Sequence, residues 1–299
     1  MEHTDKQKME GENRKKLKIL CLHGFRTSGS FLKKQISKWD PSLFAQFDME
    51  FPDGKFPAGG KSDIEGIFPP PYFEWFQFNK EFTEYTNLEE CISYLCEYIT
   101  ANGPFDGFLG FSQGATLSAL LIGYQAQGKL LKEHPPIKLL VSISGSKFRD
   151  PSICDVAYKD PIKAKSVHFI GDKDWLKLPS EELASAFDKP LIIRHPQGHT
   201  VPRLDEMATS LLRNWITEVD FSVCEHDIDH EEKKSEVKGS KLEAYSTNET
   251  KGVNGVQIKK GETDTVEVTQ VDQNLQEEAS EFNINYDEFE SRKQPLPIM

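Results

Sequence analysis

The sequence lacks the features that would tie it to a membrane, a metal or an oxidising compartment. It has five cysteines in 299 residues: Cys21, Cys91, Cys96, Cys154 and Cys224. An odd number without framework spacing excludes a disulfide-stapled scaffold and points to free thiols in a reducing compartment. Cys91 and Cys96 do not form a Cys-x-x-Cys pair, and no zinc-ligand spacing occurs. No stretch approaches the ~18 apolar residues of a transmembrane span. Met1 to Lys18 lacks the apolar core of a signal peptide, and Pro297-Ile298-Met299 is not a peroxisomal or ER-retention address. The expected location is the cytoplasm, with the nucleus as an alternative. Basic residues are in deficit, 36 against 48 acidic for a net charge of -12, which leaves no footprint of a nucleic-acid partner. No Gly-x-Gly-x-x-Gly follows an apolar run, so a dinucleotide-dependent reductase fits poorly. The expected cofactor set is empty.

The charge is unevenly placed. Residues 221–299 hold 18 acidic and 9 basic side chains, so this stretch carries -9 of the -12. It is poor in branched apolar residues and cannot bury enough surface to offset its ordering entropy. The expected organisation is a disordered leader over 1–15, one α/β domain over 16–220 and an acidic, disordered tail over 221–299. Phe282, Tyr286 and Phe289 stand four and three apart, which leaves open an amphipathic helix for a protein partner beside a solvated end.

Within the domain, short apolar runs alternate with helical patterns. Leu17–Leu22, Phe47–Phe51, the run ending at Leu109, Ile137–Ile143, Ser166–Ile170 and Leu191–Arg194 read as strands. Helices are expected over 30–39, 87–99 (Asn87 as N-cap), from the elbow to about Gln127, over 180–187 and over 204–217. This alternation predicts a mostly parallel sheet covered on both faces. About twenty residues separate the strands ending at Ile143 and starting at Ser166, too few for a large cap domain.

Gly110-Phe111-Ser112-Gln113-Gly114 sits between a strand and a helix. That is the context of a nucleophile elbow, in which a sharp turn lifts a serine clear of the sheet. A serine hydroxyl needs a base, a group that orients the base, and donors for a developing oxyanion. On this fold the order along the chain is Ser, Asp, His. Ser112 is the candidate nucleophile. His199, in a Gly-His loop after the last strand, is the candidate base, and His195 is expected to be a packed or surface histidine. The acid is Asp172 or Asp174; the first of two aspartates in such a turn commonly caps it, and the second is better placed to reach the histidine. The oxyanion donors are expected to be the backbone N–H groups of Gln113 and of Phe25, after the first strand.

The stretch from Gly66 to Phe78 packs six aromatics and three prolines into 13 residues. It reads as one wall of a substrate pocket, with Phe68, Tyr72, Phe73 and Trp75 as lining candidates. A satellite hydrophobic cluster under a long loop is the competing reading.

Leu22-His23-Gly24-Phe25-Arg26-Thr27-Ser28-Gly29, the segment from Gly60 to Trp75, Gly107 to Ala115, and Gly171-Asp172-Lys173-Asp174 with Gly198-His199 resemble the family of serine hydrolases (FSH), in particular a plant-type member. The resemblance spans about residues 16–218. It implies an α/β-hydrolase fold and carboxylic-ester hydrolysis by a Ser112, Asp174 and His199 triad, with no metal. Trp175 stands where members of that family carry valine or a small apolar residue, and the resemblance thereby implies a bulky ring at the rim of the substrate pocket. An acyl thioesterase would use the same machinery. A hydrolase-fold binding protein that uses its acidic tail for partners is the alternative from another class.

Overall fold

The computed structural model describes residues 16–219. The leader, the tail with its aromatic triplet, and Cys224 lie outside the described residues. The described residues form the strands β1 (Leu17–Leu22), β2 (Phe47–Glu50), β3 (Phe56–Pro57), β4 (Phe73–Glu74), β5 (Gln77–Phe78), β6 (Tyr85–Thr86), β7 (Gly107–Phe111), β8 (Leu139–Ile143), β9 (Lys165–Gly171) and β10 (Leu191–His195). The helices are α1 (Gly29–Ile36), α2 (Leu88–Asn102), α3 (Gln113–Ala126), α4 (Pro151–Ala157), α5 (Lys177–Ala184) and α6, spanning 206–219.

Six strands form one sheet in the order β10-β9-β8-β7-β1-β2, and every pairing is parallel. Apolar side chains occupy both faces of these strands, which is what a sheet buried on both sides requires. In β1, Leu17, Ile19 and Cys21 enter the layer that also holds Leu32 and Ile36 of α1 and Leu212, Trp215 and Ile216 of α6. Leu20 and Leu22 enter the opposite layer with Leu88, Cys91, Leu95 and Ile99 of α2 and Leu117, Leu120 and Leu121 of α3. Each such buried side chain contributes about 1.5–3 kcal/mol. Helix α3 is buried all round from Gln113 to Tyr124 and carries no charge there. A helix of that character belongs in the interior. A Cβ on Gly123 would stand 2.2 Å from the Ala157 carbonyl oxygen, so α3 and α4 meet backbone to backbone.

From β1 the chain first pairs β2 on one side, then returns to place β7 on the other. The loops after β1 and β7 therefore leave the sheet side by side and in opposite directions. Ligand sites in open parallel sheets form at such a switch point, beyond the carboxyl ends of the strands.

Several local features differ from sequence expectation. The proline-rich stretch is not a bare loop: β3 pairs antiparallel with β4, and β5 with β6. Helix α4 occupies part of the segment between β8 and β9, where no helix was expected, started by Asp150 Oδ1 accepting from Ser152 N at 2.8 Å with Pro151 as the first helical residue. Helix α5 begins three residues earlier than expected. Asn87 precedes α2 at φ 62° without capping it by a side-chain hydrogen bond; its Nδ2 donates instead to Gln77 Oε1 at 2.7 Å. The 144–164 segment between β8 and β9 holds no cap domain. Among the described residues no helix is long and apolar enough to cross a membrane.

Candidate active site

Ser112 sits between β7 and α3 at φ 53° and ψ -117°, a conformation that non-glycine residues rarely adopt. The flanking glycines make the turn possible. A Cβ on Gly110 would lie 2.4 Å from Ala115 Cα, and one on Gly114 would lie 2.0 Å from the Leu22 carbonyl oxygen. Real Cβ contacts do not reach these values, so the elbow packs directly on the end of β1.

The loops after β9 and β10 are joined by backbone hydrogen bonds: Asp172 N–H donates to His195 O at 2.8 Å and Lys173 N–H to Gln197 O at 3.2 Å. This pairing brings Asp174 and His199 together. His199 Nδ1 donates to Asp174 Oδ1 at 3.0 Å and Oδ2 at 3.2 Å, while Nε2 faces Ser112 Oγ at 2.9 Å. The carboxylate fixes the proton on Nδ1 and leaves Nε2 free to accept one. The Asp174 side chain is 1% exposed. Burial alone would raise its pKa. The hydrogen bond and charge of His199, the Ser144 hydroxyl and the Leu176 N–H outweigh burial and hold the carboxyl below its ordinary value.

The other candidates fall elsewhere. Asp172 points to solvent, 3.7 Å from Lys177 Nζ. His195 is buried at the end of β10, and its Cε1 lies 2.9 Å from where a Cβ on Gly171 would stand. The His199 ring is flanked by Phe111 and Trp175, with centroids 5.2 and 5.1 Å away.

After β1, residues 24–27 form a tight turn closed by Thr27 N–H on Gly24 O at 3.3 Å, with Arg26 at φ 54°. The Phe25 and Gln113 N–H groups make no hydrogen bond to an acceptor among the described residues. A Cβ on Gly24 would stand 3.6 Å from Ser112 Cβ, so this turn lies against the serine.

The aromatic stretch does something other than expected. Trp75 is fully buried, so it cannot line a pocket. Its backbone N–H donates to Gln113 Oε1 at 3.0 Å and its Nε1 to His23 O at 2.9 Å, while Gln113 Nε2 donates to Phe76 O at 2.8 Å. Residues 75 and 76 thereby tie the elbow to the turn after β1. Phe68 packs on Phe31 of α1 with centroids 5.2 Å apart, and Tyr72 Oη donates to Phe68 O at 2.6 Å. Phe73 N–H donates to Thr27 O at 2.7 Å. Trp175, 49% exposed, stands at the rim. It ends an aromatic arc running from Phe25 to Phe78 (4.9 Å), Phe82 (4.7 Å) and Trp175 (6.2 Å between centroids). Phe82 carries no motif that sequence reading could have used. Its place follows from the β5–β6 turn.

A cleft of about 800 Å³ opens between residues 38–40 and 203–210, but it contains none of Ser112, Asp174 and His199. Its size does not make it the reaction site. Among the described residues no cluster of three His, Cys, Asp or Glu side chains is placed to hold a metal ion.

A family model described as "Serine hydrolase (FSH1)" matches residues 9–211. Esterase OVCA2 of Bos taurus is 30% identical over 206 residues, which cover 62% of this chain and 89% of that protein. A dihydrofolate reductase of Schizosaccharomyces pombe is 29% identical over 207 residues, covering 63% of this chain. The match spans only 44% of that protein, and no reductase activity is carried over from it. Among solved structures, Zea mays acyl-protein thioesterase 2 superposes with a TM-score of 0.51 at 17% identity, covering 70% of this chain and 95% of that one. That likeness shows a shared fold, a parallel sheet flanked by helices. The chain belongs to the serine hydrolase (FSH1) family and is an esterase-type enzyme with the α/β-hydrolase fold.

Proposed function

We propose that the protein cleaves carboxylic esters through an acyl-enzyme on Ser112. The reading is carried by the 2.9 Å contact of Ser112 Oγ with His199 Nε2 and the buried Asp174 behind that ring. His199 Nε2 takes the Ser112 proton as Oγ attacks the carbonyl carbon. The negative charge that develops on the carbonyl oxygen is met by the N–H groups of Phe25 and Gln113, which have no competing acceptor among the described residues. Asp174 holds the imidazole in its Nδ1–H tautomer and stabilises the imidazolium. The tetrahedral species collapses, the C–O bond to the alcohol breaks, and His199 gives its proton to the leaving oxygen. Water, deprotonated by the same histidine, then attacks the acyl ester and releases the acid. Phe25, Phe78, Phe82 and Trp175 form an apolar wall for the substrate beside Ser112.

The test is a fluorophosphonate, which phosphonylates an activated serine, read by intact mass. One adduct on wild type and none on Ser112→Ala is expected, with ester turnover in that variant down by ~10³-fold or more. Folded wild type that takes up no adduct, or Ser112→Ala that still turns over ester at the wild-type rate, refutes the mechanism.

A further inference from the structure

We propose that His23 and Thr27 are positioning residues that aim the Phe25 N–H at the reacting carbonyl by clamping the Gly24 carbonyl from behind. The inference rests on Phe25 serving as an oxyanion donor. Three donors converge on Gly24 O: Thr27 Oγ1 at 2.8 Å, His23 Nδ1 at 2.8 Å and Thr27 N at 3.3 Å. The Gly24–Phe25 peptide is not among the cis bonds of the chain. In a trans peptide the C=O and N–H point in opposite directions. Fixing the carbonyl against the His23 and Thr27 side chains therefore turns the Phe25 N–H the other way, towards the face where Gly24 abuts Ser112.

The clamp is itself held. His23 Nε2 accepts from Gly54 N–H at 2.8 Å, so the ring proton sits on Nδ1, the atom that faces Gly24 O. Burial pushes the His23 pKa down to about 4, against smaller opposing effects of the Gly24 carbonyl and Asp53, so the ring stays a neutral one-proton donor at neutral pH. His23 is fully buried and Thr27 is 7% exposed. Around them, Trp75 Nε1 bonds His23 O at 2.9 Å, Ser62 Oγ bonds Arg26 O at 2.6 Å and Arg26 Nε meets the buried Glu74 at 3.0 Å. Rotating the Gly24–Phe25 peptide would break three hydrogen bonds at once and present a carbonyl oxygen to the developing oxyanion. The unusual aromatic stretch thus serves the turn after β1: its backbone and Trp75 keep in place a donor that must not reorganise during the reaction.

Thr27→Val keeps the shape of the side chain and deletes one donor; Thr27→Ser keeps the donor. Both are compared with wild type for kcat and KM on a short p-nitrophenyl ester, for inhibition by a boronic acid that binds serine as a tetrahedral anion, and for thermal unfolding. Loss of a whole oxyanion donor costs on the order of 10²–10³ in kcat, so loosening one should cost about tenfold, with KM held within about twofold. The boronic-acid inhibition constant should rise by the same factor as kcat falls, and Thr27→Ser should restore both. Thr27→Val that folds and labels with fluorophosphonate like wild type but keeps wild-type kcat and boronic-acid affinity overturns the clamp. So does a loss of kcat that leaves boronic-acid affinity unchanged. Failure of wild type itself to label overturns the serine mechanism, and the clamp falls with it.

Discussion

Replacing Gly114 with alanine tests the reasoning about the elbow most sharply, because it adds one methyl group where the structure has no room. The new Cβ would stand 2.0 Å from Leu22 O, 2.4 Å from Leu22 C and 2.7 Å from His23 O. All three are backbone atoms, so no side chain can rotate away. Ordinary contact begins at 3.4 Å, so α3 or the end of β1 must give by more than an ångström. Overpacking of this kind costs about 1–3 kcal/mol, and the upper end applies where only backbone can yield. For a domain of this size that is a fall in Tm of about 6–12 °C. The displaced atoms lie between Ser112 and the turn bearing Phe25, so geometry suffers as well. A misplacement of ~1 Å at a reacting centre costs on the order of 10² in rate. Gly128→Ala is the control. It replaces a glycine too, this one at positive φ, 65°, with nothing within 4 Å of its Cβ. It should cost about 1 kcal/mol of backbone strain and leave kcat/KM unchanged. Thermal unfolding and p-nitrophenyl ester kinetics on the full chain read both effects. A Gly114→Ala variant as active and as heat-stable as Gly128→Ala would refute the close approach of α3 to β1.

Other outcomes follow from buried polar groups and the pocket rim. Both ring nitrogens of His168 are buried without a hydrogen-bond partner among the described residues, and burial pushes its pKa down to about 3. The unfolded ring takes up a proton near pH 6.5 and the folded ring does not, so stability is present above that pH and lost as pH falls towards 3. His168→Leu removes the orphaned atoms, so it should be neutral to stabilising by ~1 kcal/mol at pH 7. The gain should grow by ~2 kcal/mol at pH 5, and urea midpoints at the two pH values that move the other way would contradict this. The Asp174 carboxyl is held below its ordinary value, so its contribution is complete above the usual carboxylate range and lost as pH falls through it. The stability gap between wild type and Asp174→Asn should therefore narrow in acid, while kcat at pH 7 falls on the order of 10⁴-fold. Equal activity of the two would remove Asp174 from the site. Trp175→Ala should raise KM for a long-chain acyl ester about fivefold, worth ~1 kcal/mol of apolar contact, and leave an acetate ester nearly unaffected; identical changes for both substrates would place the ring outside the acyl pocket.

The elbow was legible because its stereochemistry is local: two glycines around a serine at a strand–helix junction answer to contacts made within a few residues and at the adjoining strand end. The alternation of buried strands and amphipathic helices was legible for the same reason, since burial on two faces and burial on one leave different periods in the chain. Short features escaped. Strands β3 to β6 span two residues each, too few to leave a period. The side chain of Asn87, a good capping residue by type, is drawn off by Gln77.

Long-range packing decided the rest. Asp172 and Asp174 share one turn, and nothing in their spacing says which faces inward; the pairing of the β9 and β10 loops turns Asp174 to His199 and leaves Asp172 to Lys177. Aromatic composition marked the 66–78 stretch as unusual without saying where each ring goes. Trp75 has a hydrogen-bonding N–H that must find a partner when buried, and the partner within reach is the His23 carbonyl. That draws Trp75 beneath the turn after β1 and leaves Phe78, with Phe82 from the next turn, to meet Phe25 and Trp175 at the surface. Chain chemistry determined which groups were available for reaction; contacts between residues tens of positions apart determined which of them share a site.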